Sequence, residues 1–345
     1  MTRRSVVCLA VVLASCAVDD ELLELDTTTQ QVAACPKWVC GSNDPVVSSS
    51  FGPPVKFHEL SENPTVANAE GVTLIGLDVA GVTYGVDVAG AKLNGKLTGK
   101  PTVSGQNLVG TSLMLQAGAV RYNLRIIAVG ATNLYPVDGA TAETYQIDQR
   151  AVGETDPRYP SRNVCSQAGA VPTNELLGQN TWTLLLYENS RVNVNTKVLT
   201  EGDNTWFNLA CAGHVLAKTF LVRHALASQN STHATTLAER QTMLRMYLAD
   251  YCGNGTPFTQ SGEPLVWIDH KAWFQYFSPP LTLEARWGPN GAICLNEPRM
   301  FNTNAAGAAL FPNIKQSIAA LCAVPPCANL NPSSFLGAHL VSGNP

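Results

Sequence analysis

Glycine recurs every fifth residue from Gly71 through Gly76 to Gly81 and, after a one-residue slip, from Gly85 through Gly90 to Gly95. The segments between them place an apolar residue on either side of a polar one, as in Val72-Thr73-Leu74, Leu77-Asp78-Val79 and Val86-Asp87-Val88. Two apolar groups per unit followed by glycine make the cadence of a five-residue repeat, and the same alternation fits a glycine-rich β-meander. Gly105 to Leu113 echoes the cadence, and Val120 to Val129, with Tyr122, Leu124 and Ile126 alternating, reads as a strand. The period then changes. Leu209, Ala212, Leu216 and Phe220 recur at helical spacing, as do Leu237, Leu244, Leu248 and Tyr251. Thr236-Leu-Ala-Glu239 is a capping box for the second helix, Gly253 is expected to end it, and the polar Ser228 to Thr235 forms the turn of an αα-hairpin. Pro264 to His270 and Leu281 to Trp287 read as strands, with Gly288-Pro289-Asn290-Gly291 as a hairpin turn leading back through Cys294. Asn313 to Leu321 is expected as a short helix in an Asn-, Ala- and Pro-rich end. The fold class is α+β: a glycine-rich β region first, then an αα-hairpin packed on antiparallel strands.

The start of the chain has another pattern. Arg3-Arg4 precedes an apolar run from Ser5 to Ala14, closing in Leu13-Ala14-Ser15-Cys16. This order resembles the lipobox of bacterial lipoproteins, which implies cleavage before Cys16 and acylation of that cysteine. An ordinary secretory signal, cut after Ala17, is the alternative. Residues 17 to about 50 are poor in apolar pattern and carry Asp19, Asp20, Glu21, Glu24 and Asp26, which suits a solvated tether. The expected division is a signal peptide at 1–15, a tether at 16–50, a glycine-rich β domain at 51–158, a cysteine-stapled domain at 159–300 and a C-terminal extension at 301–345.

Composition narrows the partners. The 345 residues are 45% hydrophobic and 14% charged with a formal net charge of −4, enough for a real core and without the basic patch that nucleic acid requires. No later apolar run approaches the roughly 20 residues of a spanning helix, so the lipid is the expected membrane attachment.

Of ten cysteines, Cys8 leaves with the signal and Cys16 carries the lipid, leaving eight. An even number in an exported chain reads first as disulfides. Cys35 and Cys40 are expected to close a local loop, and Cys322 and Cys327 another around Pro325-Pro326. In an antiparallel hairpin turning near residue 231, position 211 lies level with 252, and facing Cα atoms about 4–5.5 Å apart suit a disulfide. A Cys211–Cys252 bond is therefore expected, with Cys165 and Cys294 as the remaining long-range pair. The same region offers a zinc alternative in Cys211, His214, Asp250 and Cys252, or a Cys252 nucleophile with His214 as base. An oxidising compartment favours the disulfide.

Ala249-Asp250-Tyr251-Cys252-Gly253 does not stand alone. With Ala210-Cys211-Ala212-Gly213, Leu216-Ala217-Lys218, Glu284-Ala285-Arg286-Trp287 and Gly291-Ala292-Ile293-Cys294, it resembles the ADYC-domain family of exported bacterial proteins over roughly residues 160 to 300. Members carry a further cysteine in each helix, near the places held here by Thr219 and Met243. The family has no assigned activity, so the resemblance implies an architecture and a compartment without a reaction. The glycine cadence, in turn, is similar to that of pentapeptide-repeat proteins, which implies one short coil of a square β-helix as the alternative to the meander.

Chemistry-bearing motifs are sparse. Asp250 to Gly255 has the opening of a calcium loop, but Ser261 stands at the twelfth position where an acidic residue is needed. Asp269-His270 on a strand would point to opposite faces, and His214, His224, His233 and His270 share no recurring spacing. No Gly-x-Ser-x-Gly, His-Glu-x-x-His or phosphate-binding glycine loop is present. The expected function is a lipid-anchored envelope module, non-catalytic, needing no cofactor, with a protein or glycan partner. The alternatives are an envelope hydrolase with a dispersed site and the zinc-binding protein described above.

Overall fold

A computed structural model describes residues 35–47, 58–135, 139–151, 162–165, 183–193, 195–224, 235–271, 275–276, 282–300 and 312–344. The expected signal peptide, Cys16, the front of the tether and the turn over 228–234 lie outside the described residues.

The N-terminal β region begins with β1 (Glu59–Ser61), β2 (Val72–Val79), β3 (Val82–Ala89), β4 (Lys92–Lys96) and β5 (Val103–Ser104). It continues through β6 (Ser112–Ala117), β7 (Val120–Asn133), β8 (Thr141–Ala151), β9 (Arg162–Asn163) and β10 (Leu184–Glu188). After a two-stranded ribbon of β11 (Ser190–Val192) and β12 (Leu199–Glu201) comes β13 (Trp206–Cys211). Apart from the ribbon these strands form one antiparallel sheet in the order β1-β13-β10-β8-β7-β6-β2-β3-β4-β5, with β9 beside β8. The sheet thus runs across residue 158, where a domain boundary was expected.

The glycine cadence is a meander. β2 and β3 are each eight residues long and are followed by two-residue turns, which gives a period of ten, twice the glycine spacing. Ala80-Gly81 and Gly90-Ala91 hold left-handed φ values of 51°, 83°, 62° and 59°, the geometry of hairpin turns that match strand twist. A stacked pentapeptide coil would need parallel neighbours, and these strands pair antiparallel. Gly76 serves close approach instead: a Cβ there would meet the Tyr84 carbonyl oxygen at 2.6 Å.

The sheet coils on itself. The Leu93 amide in β4 donates to Tyr145 Oη of β8 at 2.8 Å, and the Ala91 amide donates to Glu188 Oε2 of β10 at 3.0 Å. Leu74, Leu77, Leu93, Leu115, Leu124 and Phe207 fill the space enclosed. On the other side of β10, Leu185 and Tyr187 face a second core. That core is built on α1 (Lys37–Cys40), α2 (Val215–Leu221), α3 (Leu237–Leu248) and α4 (Ile314–Leu321). Its far wall is a five-stranded antiparallel sheet of β14 (Val266–Asp269), β15 (Gln275–Tyr276), β16 (Thr282–Gly288), β17 (Gly291–Leu295) and β18 (Leu340–Asn344), ordered β15-β14-β18-β16-β17. No helix among the described residues is long and apolar enough to cross a membrane.

Three expectations need correction. Residues 206–211 are a strand, not the start of the first helix; both faces of β13 are buried, so apart from Asn208 its sequence is apolar and a helical period can be read into it. α2 starts only at Val215, and it still packs on α3. Residues 35–47 are not tether: Val39, Cys40 and Val47 are buried, and the Val215 and Leu216 amides donate to the Val46 and Val47 carbonyls. The segment expected as a C-terminal extension supplies α4 and the central strand of the second sheet.

Two measurements check this packing. A Cβ at Gly253 (φ +66°) would fall on the Asn290 carbonyl in the β16–β17 turn, whereas one at Gly81 (φ +83°) meets open space. Gly253→Ala is expected to cost about 2–4 kcal/mol and Gly81→Ala about 1 kcal/mol in urea unfolding. Separately, burial raises the Glu62 carboxyl to about 7, against the pull of the Val88 amide bond and with the push of Asp87 and Glu188. An acid raised in the folded state contributes stability below its ordinary 4.5 and loses it as pH rises to about 7. The urea midpoint is therefore expected to fall across that window, and Glu62→Gln to flatten the fall.

Candidate functional site

The tetrapeptide that marks the sequence sits where α3 ends. Leu248 is the last helical residue, and Ala249 takes the left-handed conformation (φ 51°) rather than the expected Gly253. Its amide donates to Met246 O, and that of Asp250 to Arg245 O. The Asp250 carboxylate accepts from the amides of Asn254 (3.2 Å) and Gly255 (2.8 Å) and pairs with Arg245 Nη1. Burial raises the Asp250 pKa, with Arg245 pulling the other way. Both oxygens are engaged in closing the helix end, so the calcium-like opening is a helix-terminating turn.

Tyr251 turns inward. Its ring stacks on Trp287 with centroids 5.2 Å apart, and Oη donates to Glu284 Oε1 at 2.5 Å. Glu284 also accepts from Arg299 Nε (2.7 Å) and Nη2 (2.8 Å) and from Ser342 Oγ (2.7 Å), while Arg299 Nη1 donates to Asn43 Oδ1. Trp287 Nε1 donates to Ser342 Oγ at 2.7 Å. Burial, then the Glu284 charge, pushes the Tyr251 phenol well above its ordinary range. Every oxygen of this buried carboxylate is used by the protein itself, the arrangement of a structural network.

The cysteines pair differently from expectation. Cys35 pairs with Cys40, Cys165 with Cys211, Cys252 with Cys322 and Cys294 with Cys327, at Cα separations of 6.0, 5.6, 5.6 and 4.9 Å. The expected Cys211–Cys252, Cys165–Cys294 and Cys322–Cys327 pairs are corrected. The first assumed that Cys211 lies on a helix. It ends β13 and packs into the coiled sheet's core, while Cys252 packs against the helical core, where Cys322 follows α4. Closing loops of 46 and 70 residues, the Cys165–Cys211 and Cys252–Cys322 bonds contribute about 4 kcal/mol each on the chain-entropy model.

The same pairing removes the zinc alternative and the Cys252 nucleophile, since neither Cys211 nor Cys252 has a free thiolate. His214 is buried with Nδ1 3.5 Å from Asp44 Oδ1, and Asp250 is held at the end of α3. Lys218 lies nearby, donating to Ser42 O at 2.8 Å and Ser42 Oγ at 3.3 Å. Burial lowers it to about 8, with Asp44 pulling it back up. This buried amine fastens the 35–47 segment to α2.

A second group of ionisable side chains lies at the opposite end of α3, near solvent. Glu239 is the third residue of the helix, and Oε2 accepts from Thr236 N (2.6 Å) and Oγ1 (3.0 Å) in the capping box. Its Oε1 faces Lys271 Nζ at 2.7 Å and His270 Nε2 at 3.4 Å. Burial raises the Glu239 carboxyl, but Lys271 and the Thr236 donors outweigh it and hold the group below its ordinary value. His270 directly follows β14, with Nδ1 3.1 Å from His339 O and 3.5 Å from Asp269 Oδ1. The His339 ring lies 5.2 Å from that of His270, and its pKa is lowered by burial and then by His270. Behind them, Asp269 Oδ2 meets His224 Nε2 at 3.1 Å. Asp269 and His270 do approach each other, because the strand ends between them. His339 and the outward oxygen of Glu239 escape sequence reasoning because positions 239, 270 and 339 have no local spacing.

The network around Tyr251 makes a graded prediction. Tyr251→Phe leaves Glu284 with its other partners and is expected to cost about 1–3 kcal/mol. Glu284→Gln leaves the buried Arg299 cation without its counter-charge and is expected to cost about 3–5 kcal/mol, measured by denaturant unfolding.

No curated protein and no solved structure matches the chain. A family model for the ADYC domain matches residues 105–301, starting within the β region rather than near residue 160 and covering more than half of the sequence. The Ala249-Asp250-Tyr251-Cys252 corner lies inside that match, and the chain belongs to the ADYC-domain family.

Proposed function

We propose that this is an exported bacterial envelope protein, anchored by lipid at Cys16, whose folded body is a binding or structural module rather than a catalyst. The observation that carries the reading is the use of sulfur. All eight cysteines after Cys16 lie in four pairs at bonding distance, the usage of a chain that matures outside the reducing cytosol. The Leu13-Ala14-Ser15-Cys16 sequence supplies the anchor, and acyl chains give the membrane attachment. The buried polar groups around Tyr251 and Lys218 bond to the protein's own backbone and side chains, which supports scaffold over catalyst. A protein or glycan of the envelope is the partner class for such a module.

Intact-mass analysis of native material tests both parts. The expected mass is that of a chain beginning at an acylated Cys16, with eight thiols that label only after reduction. Cys16→Ser is expected to release the protein from membranes. An unacylated amino terminus together with thiols that label without reductant would overturn the reading.

A further inference from the structure

The side chains of Glu239, His270 and His339 come from three segments far apart in sequence, yet one ligand atom from each lies within 4.8 Å of the other two. The separation of His270 Nε2 and Glu239 Oε1 is 3.4 Å. Zinc bonds of about 2.0–2.1 Å in a tetrahedron put neighbouring ligand atoms about 3.4 Å apart. The outer contacts favour the same use. With its proton on Nδ1, directed at the His339 carbonyl 3.1 Å away, His270 turns the Nε2 lone pair toward the carboxylate. Two electron-rich atoms then face one another, an arrangement that requires a positive group nearby. Lys271 Nζ supplies one now, 2.7 Å from Glu239 Oε1. The site is reachable, since the His270 and Lys271 side chains are 31% and 28% exposed.

We propose that Glu239, His270 and His339 bind a divalent transition-metal ion of the zinc type, with two imidazoles and one carboxylate as ligands and a fourth position left for water. Glu239 uses Oε1 for the ion while Oε2 continues to cap α3. The ion displaces the Lys271 ammonium from Oε1. Asp269, held by His224, stands as the outer carboxylate beside His270 Nδ1. The metal site goes beyond the envelope reading and does not depend on it.

Zinc chloride titrated calorimetrically into the full chain, after chelator treatment and desalting at neutral pH, tests the assignment. One ion per chain is expected, with a dissociation constant in the micromolar range or below. His339→Gln and Glu239→Gln are each expected to weaken binding at least about tenfold. Glutamine at 239 also satisfies the capping box, so that variant keeps the helix start. Lys271→Met, which removes the competing cation, is expected to tighten binding several-fold. Should a ligand variant fail to fold by circular dichroism, the Lys271→Met result decides: tighter binding supports the site and unchanged affinity overturns it. A wild-type chain that takes up no zinc, or an affinity unchanged in both folded ligand variants, also overturns it.

Discussion

The buried carboxylate of Glu284 is the constraint on which the second core depends. A charge taken out of water is tolerated only when it is paired and its remaining lone pairs are bonded. Glu284 meets this demand by drawing Tyr251 from the end of α3, Arg299 from the segment after β17, and Ser342 from β18. Arg299 in turn reaches Asn43, 256 residues away. Elements that share no local sequence relation are thus fixed against each other by one anion. The stacking of Tyr251 on Trp287 and the edge-on contact of Tyr247 with Trp267 fill the space around it. Ala249-Asp250-Tyr251-Cys252 is a structural signature in these terms: Ala249 reverses the chain, Asp250 closes the helix, Tyr251 serves the carboxylate and Cys252 ties the corner to α4.

α3 shows the same economy. Every residue from Glu239 to Leu248 is buried, including Arg240 and Arg245. Each of those cations bonds to a carboxylate, Glu201 for Arg240 and Asp250 for Arg245, and to a backbone carbonyl. A helix enclosed on all sides gives little amphipathic contrast, and its polar residues hold it among surrounding strands and loops.

Local signals in the sequence were reliable where the physics is local. The capping box at Thr236 and Glu239, the hairpin turn at 288–291, the strand from Val120 and the short helix ending at Leu321 all appear as read. The αα pair is legible too, but its first helix starts only at Val215, because β13 is buried on both faces and its mostly apolar sequence carries a helical period. Cysteine pairing is legible at Cys35–Cys40 alone; the equally short Cys322–Cys327 spacing misleads, because each of those two is bonded to a distant cysteine. Cys35 and Cys40 share a tight loop, whereas Cys165, Cys211, Cys252 and Cys322 are brought together by sheet coiling and helix packing that no spacing encodes. The histidine–carboxylate group was hidden for the same reason: its members stand at the ends of α3, β14 and β18, and adjacency exists only once the sheet has formed.

The place of β18 has a consequence for the order of assembly. Leu340–Asn344 lies between β14 and β16, which have no ladder to each other without it. A chain emerging amino terminus first can coil its large sheet early, because β1 to β13 are contributed by residues 59–211. The five-stranded sheet must wait, with Trp267 and Trp287 uncovered, until residues 340–344 emerge and insert at its centre. Closure of that core is therefore a late event that joins some of the most distant parts of the polypeptide.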